Sequence, residues 1–287
     1  MKIQSLSVLV LCNGCVNKCK FCVSRMHNNE YTNLFKSNPT VARLQFKKRL
    51  QFARENNCNT AMITGTGEAL QNKEFLLMFA ETNKELKNPF LWLELQSSGV
   101  MLTNENLIFL KDIVGVDTIS LSLSNILDSQ RNSEICGTPN QLQFQISAVC
   151  KSIKDFGFNL RLSLNMTKEY DDVSPFKILE TAKKLGADQI TFRKLYSSGG
   201  DSDVDKWVDE NKMDSGKYGD IKNFVKQTDV QLEDLPFGLK KFSYNEMGVV
   251  WDDDCMSKEV KDAYKYLILR ENTKVYSRWD DKGSLIF

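Results

Sequence analysis

Apolar and polar positions along the chain switch repeatedly between two periods. IQSLSVLVL (3–11) reads as a strand, and ARLQFKKRLQFARE (42–55) has helical spacing. TAMIT (60–64) precedes a helical stretch over 72–86, and FLWLELQ (90–96) precedes NENLIFLKDIV (104–114). DTISLSLS (117–124) precedes QLQFQISAVCKSIKDFG (141–157), and NLRLSLNMT (159–167) precedes PFKILETAKKLG (175–186). DQITFRKLY (188–196) closes the series. Strands separated by helices, in units of about thirty residues, predict an α/β fold with a parallel sheet and outer helices. Six units fall short of a closed eight-stranded barrel, so an open partial barrel or a doubly wound sheet is expected. In either, chemistry belongs at the carboxyl ends of the strands.

The pattern changes after Tyr196. SSGGDSDVDKWVDENKMDSGKYGD (197–220) is rich in Gly, Ser and Asp, which predicts a long loop or a weakly packed helix. FSYNEMGVVWDDDC (242–255) and YKYLILRENTKVYSRW (264–279) both read as strand–turn–strand pieces. The expected organisation is a core domain over 1–196 and a C-terminal α+β appendage over 197–287. The appendage would cover one barrel end as a lid and substrate region. No internal repeat or low-complexity tract interrupts the chain.

Composition narrows the class. The 287 residues are 41% hydrophobic and 26% charged, as in an ordinary soluble globular protein. A formal net charge of +1 supplies no global field to recruit nucleic acid or an anionic membrane. The opening MKIQSLSVLVLCNGC has an apolar run too short to span a membrane, and it ends in cysteines rather than a small-residue cleavage site. It reads as a buried strand. Cys58, Cys136, Cys150 and Cys255 are scattered without framework spacing, which predicts reduced thiols in a cytoplasmic protein.

Four of the eight cysteines crowd into LCNGCVNKCKFC (11–22). Cys15, Cys19 and Cys22 form C-x3-C-x2-C directly after the first predicted strand. A structural zinc knot would need a second cysteine or histidine pair, which the chain lacks. Cys12 and Cys15 form a C-x2-C pair that a redox couple would use only with a lowered thiol pKa. A four-iron cluster needs one ligand per iron, so three cysteines leave one iron open to a small molecule.

CVNKCKFC (15–22) resembles the C-x3-C-x-aromatic-C signature of the radical S-adenosylmethionine (AdoMet) superfamily, with Phe21 at the aromatic position. ITGTGEAL (63–70) follows the second strand, where that family carries a Gly-Gly-Glu-like turn; here Thr64, Gly65, Thr66, Gly67 and Glu68 stand there, with Thr66 in place of the middle glycine. ELQSSG (94–99), with Ser98, ends the third strand as the family's polar turn does. The resemblance implies a six-unit partial (β/α) barrel holding a reduced 4Fe–4S cluster on Cys15, Cys19 and Cys22. It implies AdoMet on the open iron and reductive cleavage to a 5′-deoxyadenosyl radical, which abstracts hydrogen from a small-molecule substrate. It also implies an electron donor such as flavodoxin or ferredoxin. Cofactor contacts are expected from Phe21, from the 64–68 turn and Ser98, from Ser122 and Ser124 on the fourth strand, and from Asn165 and Arg193 on the next two. For the serines the bland alternative is a polar barrel interior.

VVWDDDC (249–255) supplies candidates for the substrate end. Asp254, or a neighbouring carboxylate, would read donors on a planar ring, Trp251 would stack on that ring, and Cys255 would return a hydrogen atom. The reaction expected is a lyase or rearrangement step, with a deazapurine (queuine-like) base or nucleoside as substrate. A glycyl-radical-enzyme activase is the alternative within the family, and a non-catalytic iron–sulfur or zinc module is the rival outside it.

Overall fold

Six parallel strands form where the alternating segments place them: β1 (Lys2–Val10), β2 (Thr60–Gly65), β3 (Trp92–Ser97), β4 (Thr118–Leu123), β5 (Asn159–Met166) and β6 (Gln189–Lys194). The structure is a computed structural model and describes residues 2–26, 31–228, 230–235, 239–253, 259–260 and 263–287. Between the strands run α1 (Val23–Met26), α2 (Leu34–Ser37), α3 (Pro39–Glu55), α4 (Lys73–Lys84), α5 (Asn104–Ile108), α6 (Ser129–Cys136), α7 (Ile146–Asp155) and α8 (Pro175–Lys184). Their starts carry polar caps. Asn38, Asn72, Asp128 and Ser174 each accept a backbone N–H of the first turn, and Pro39 and Pro175 follow two of them. The periodicity does not announce the short α6, because it spans only two turns.

The two faces of the sheet differ in chemistry. Val8, Ile63, Leu95, Ile119 and Leu160 lie in register across five strands and are buried. They share one core with Phe46 of α3, Leu76 of α4 and Ile153 of α7. On the opposite face the row Gln96, Ser120, Arg161, Gln189 is polar throughout. A parallel sheet buried on both faces would be apolar on both. The polar inner face marks a cavity.

Residues beyond 196 do more than cover an end. Two helices, α9 (Asp203–Asn211) and α10 (Ser215–Thr228), begin in the stretch expected as a long loop or a weakly packed helix, and Ser202 caps the first by accepting from Asp205 N. There follow β7 (Val230–Leu235), β8 (Leu239–Tyr244), β9 (Met247–Asp252), β10 (Glu259–Val260), β11 (Ala263–Leu269) and β12 (Val275–Tyr276). β9 joins β6 in parallel, Gln189 opposite Gly248, and β11 joins β1 in parallel, Lys2 opposite Ala263. The strand order is β10-β11-β1-β2-β3-β4-β5-β6-β9-β8-β7, with β12 paired to β11. The core is therefore the expected partial barrel, an open parallel sheet that hydrogen bonds do not close. Its two sides are extended by strands that the sequence pattern sets apart as an appendage. Local periodicity identifies such strands but carries no record of which distant strands they join. No helix among the described residues is long and apolar enough to cross a membrane.

Candidate active site at the cysteine loop

The cysteine loop leaves the carboxyl end of β1 and is braced on two sides. On one side is the turn after β2. Thr66 Oγ1 accepts from Cys12 N at 3.1 Å, Gln71 Oε1 accepts from Val16 N at 3.2 Å, and Asn72 Nδ2 donates to Leu11 O at 2.9 Å. On the other side is the end of α6, where Lys18 N donates to Cys136 O at 3.1 Å and Lys20 N to Ile135 O at 3.3 Å. Gly137 ends that helix at φ 57°, and a Cβ there would lie 2.7 Å from Lys18 O.

Glycine is required in the β2 turn for the same reason of close approach. A Cβ on Gly67 would sit 2.5 Å from Gly14 O and 3.1 Å from Cys15 Cα; one on Gly65 would sit 2.7 Å from Gly67 O. The expectation gives this room to the cofactor, whereas the geometry gives it first to the cysteine loop itself. Glu68 is buried, and its Oε2 accepts from Ser98 N at 2.9 Å and Ser98 Oγ at 2.6 Å. Burial raises its pKa against the pull of those bonds. Glu68 and Ser98 thus pin the second turn to the third.

The four thiols of the loop are not equivalent. Cys12 is buried, its Sγ donates to Glu68 O at 3.3 Å, and desolvation pushes its pKa up to about 11. A thiol so held is a poor partner for a C-x2-C couple. Cys15 is exposed, while Cys19 and Cys22 are partly buried. Cys22 is close enough to both Cys15 and Cys19 to add to the rise in their pKa that burial also favours. Among the described residues no three His, Cys, Asp or Glu side chains converge to hold a single metal ion. Asn17, between Cys15 and Cys19, is buried with neither end of its amide hydrogen-bonded. Three soft thiols in one loop around an unsatisfied buried amide fit a bound iron–sulfur group, which brings its own acceptors.

A residue that sequence reasoning misses lies behind the loop. Cys136 at the end of α6 stands close enough to the Cys19 thiol to raise its pKa, and its Sγ lies 3.9 Å from Ser124 Oγ. By spacing it belongs with the scattered cysteines; only the chain path brings it here. Ser124 and Ser122 are tied together by Asn165, whose Nδ2 donates to Ser122 Oγ at 3.0 Å and contacts Ser124 Oγ at 3.4 Å. The Phe21 ring lies 6.1 Å from that of Trp207 on α9.

Within the curve of the sheet lies a cavity of about 470 Å³. Val23 and Ser24, next to Cys22, and Thr64 and Gly65, at the end of β2, stand where it meets the cysteine loop. Arg161, Arg193, Lys241, Asp252 and Lys265 supply its charge. Glu94 ion-pairs with Arg161, and Asp252 with Lys265 at 2.8 Å and Arg193 at 3.7 Å. Arg193, expected at the cofactor, stands in the cavity wall in register with Asp252. Asp252 lines the cavity, whereas Asp253 pairs with Lys222 at 2.6 Å. Asp254 and Cys255 lie outside the described residues. Trp251 stacks on Phe242 at 5.0 Å, so its ring is used in packing.

The family model of the Radical SAM superfamily matches residues 9–172, more than half of the chain. Among solved structures, a polyhistidine-tagged anSMEcpe with bound AdoMet aligns with a TM-score of 0.61 at 16% identity, over 96% of this chain and 74% of that one. "Native anSMEcpe with bound AdoMet and Kp18Cys peptide" gives 0.55 at 15% identity, over 79% of this chain and 60% of that one. "Crystal structure of methylornithine synthase (PylB)" gives 0.53 at 15% identity, over 77% and 61%. At these identities the likeness is one of fold, and this chain spans about three fifths of the latter two. No curated protein matches the sequence.

Proposed function

This chain belongs to the radical SAM superfamily, and from that premise we propose that it is an enzyme acting on a small molecule held in the cavity beside the cysteine loop. Its cofactors are a 4Fe–4S cluster and AdoMet. When bound, they supply one-electron cleavage of a sulfonium and a carbon radical that abstracts hydrogen. Cys15, Cys19 and Cys22 hold the cluster. Backbone of Gly65 and Gly67, with Thr64 and Thr66, borders AdoMet, and Ser122 and Asn165 present polar groups from β4 and β5. Glu68 and Ser98 act by fixing the two turns. Phe21 seals the outer side of the loop.

The observation that carries this reading is the position of the cavity: the residues after Cys22 and those ending β2 both line it. A radical formed there would act on a substrate enclosed by the sheet and shielded from quenching. Residues 197–287 serve as lid and substrate wall, α9 over the loop and β8, β9 and β11 around the cavity. The reaction is a lyase or rearrangement step in the cytoplasm, driven by a flavodoxin- or ferredoxin-like donor. Cys255 is the proposed hydrogen donor to the product radical, with Asp254 beside it in sequence. For a deazapurine substrate, Trp251 lines the cavity while its ring stacks on Phe242, so the base would meet a part of the ring that Phe242 leaves uncovered. The test is anaerobic purification followed by strong reduction with AdoMet. Slow release of 5′-deoxyadenosine and methionine is expected. A cluster-replete sample that neither binds nor cleaves AdoMet would leave only a binding module.

A further inference from the structure

The inner face of the sheet carries more positive charge than the proposed radical chemistry uses. Arg161, Arg193, Lys241 and Lys265 line one cavity, and the carboxylates among the described residues that pair with them are Glu94 and Asp252. Arg161 is neutralised at the floor, ion-paired to Glu94 with its Nε donating to Ser120 Oγ at 3.2 Å. Asp252 is drawn chiefly to Lys265, at 2.8 Å, and stands 3.7 Å from Arg193. Arg193 is left undersatisfied: its buried Nε is the atom that stands 3.7 Å from Asp252, too far for a hydrogen bond, and it has no other hydrogen-bond partner.

Lys241 reaches the same cavity from β8, one strand beyond β9, in register with Val250. Its path is open because position 248 is glycine. A Cβ there would lie 3.2 Å from Lys241 Cε and 3.6 Å from Gln189 Cγ. The backbone of Gly248 has no left-handed φ, so space rather than conformation explains the residue. Lys241 forms no ion pair among the described residues. Cations kept half-buried without full counter-charge carry a desolvation cost that a bound anion relieves.

We propose that the substrate is a small acid whose carboxylate or phosphate binds against Arg193 and Lys241 on the β6–β9–β8 wall. The cavity volume of about 470 Å³ suits a small molecule. An anion fixed on that wall turns the rest of the molecule toward Ser24 and Gly65 at the cysteine loop. The inference rests on the reading of this cavity as the substrate site, and its test needs no turnover.

Glycerol 3-phosphate, glycerate and glycerol form a matched set: phosphate, carboxylate and neutral. Each is titrated calorimetrically, at low salt, into anaerobic cluster-loaded protein saturated with AdoMet. At least one acid should bind about tenfold or more tightly than glycerol, and whichever acid wins identifies the group. Arg193→Gln and Lys241→Gln should each cost that acid about tenfold or more while leaving glycerol unchanged. Arg193→Lys should retain part of the preference, which separates lost charge from a disturbed fold. Equal binding of all three probes overturns the inference, as does loss of AdoMet affinity rather than acid affinity in Arg193→Gln. AdoMet cleavage measured on the same samples keeps the radical reading separate: a protein that cleaves AdoMet but ignores acids refutes only the acid site.

Discussion

Lys265 on β11 and Asp252 on β9 meet at 2.8 Å although the six strands β1 to β6 lie between them in the sheet. The hydrogen-bonded order runs openly from β10 to β7, so the two strands are neighbours only across the gap of the curve. An ion pair bridges what backbone pairing leaves open. Both side chains are only 14% exposed, so water screens the pair weakly. A double-mutant cycle on Lys265→Gln and Asp252→Asn, followed by urea unfolding, should give a coupling of about 1 to 2 kcal/mol. Additivity within error would mean that the gap is held by other contacts.

Iron content separates the thiols. Cys15→Ala, Cys19→Ala and Cys22→Ala should each strip the protein of its cluster, because an iron without its thiolate cannot be retained in a three-ligand site. Cys12→Ala should keep its iron, since that thiol is protonated and occupied with Glu68 O. Cys136→Ala should also load, because its contact is to the Cys19 thiol from behind the loop. Stoichiometric zinc in place of iron in the unmodified protein would end the cluster assignment.

Gly67→Ala should lose cluster and AdoMet binding together. The added methyl would stand 2.5 Å from Gly14 O, and backbone cannot yield as a side-chain tip does. Iron per chain and AdoMet affinity, measured on one preparation, decide the point. Full iron with weakened AdoMet binding would return the glycine to the cofactor alone.

How far the sequence reveals these features depends on their range. Val8 and Ile63 declare strands as members of short apolar runs and Leu95 by alternating with Glu94 and Gln96, and both signals are local. Arg161 and Glu94 form their ion pair across 67 residues, and Lys265 meets Asp252 only because β11 and β9 join opposite sides of the sheet. No spacing rule encodes either contact. Within the site, Cys15, Cys19 and Cys22 are legible as one short motif, whereas Cys136 reaches it only when α6 folds back on Lys18. Glycine signals behave likewise. Gly67 is recognisable as a turn, but the atom it must avoid belongs to another loop, and Gly248 matters only through Lys241 on the next strand.

Acid should loosen the segment before α9 ahead of the core. Asp205 gathers hydrogen bonds from Ser202 Oγ at 2.5 Å and Ser198 N at 2.6 Å, and these lower its pKa to about 2. A carboxyl whose folded pKa is depressed lends stability above its ordinary value near 3.8, lost as pH falls toward about 2. Hydrogen exchange over residues 197–211 should therefore quicken in that window relative to β1–β6. In Asp205→Asn the segment should exchange faster already at neutral pH, with little further change on acidification. Identical profiles in the two proteins would show that Asp205 does not hold it.

Trp207 tests whether α9 is a cover for the cluster. Its ring lies 6.1 Å from that of Phe21, next to Cys22, at 36° between planes, so the helix packs against the cysteine loop. An aromatic contact of this kind contributes about 0.5 to 1.5 kcal/mol beyond the area it buries, enough to bias a short helix toward the closed position. Trp207→Ala leaves every thiol and both glycines of the β2 turn in place. Iron loading under strict anaerobiosis should thus match the unmodified protein. In air the cluster should bleach several-fold faster, followed by its visible absorbance, because the loop loses its apolar shield against oxidant. AdoMet turned over without substrate should rise in the same variant, since a looser cover admits solvent to the radical. If bleaching and uncoupled turnover both equal those of the unmodified protein, α9 merely rests on the loop, and protection of the cluster must come from elsewhere in residues 197–287.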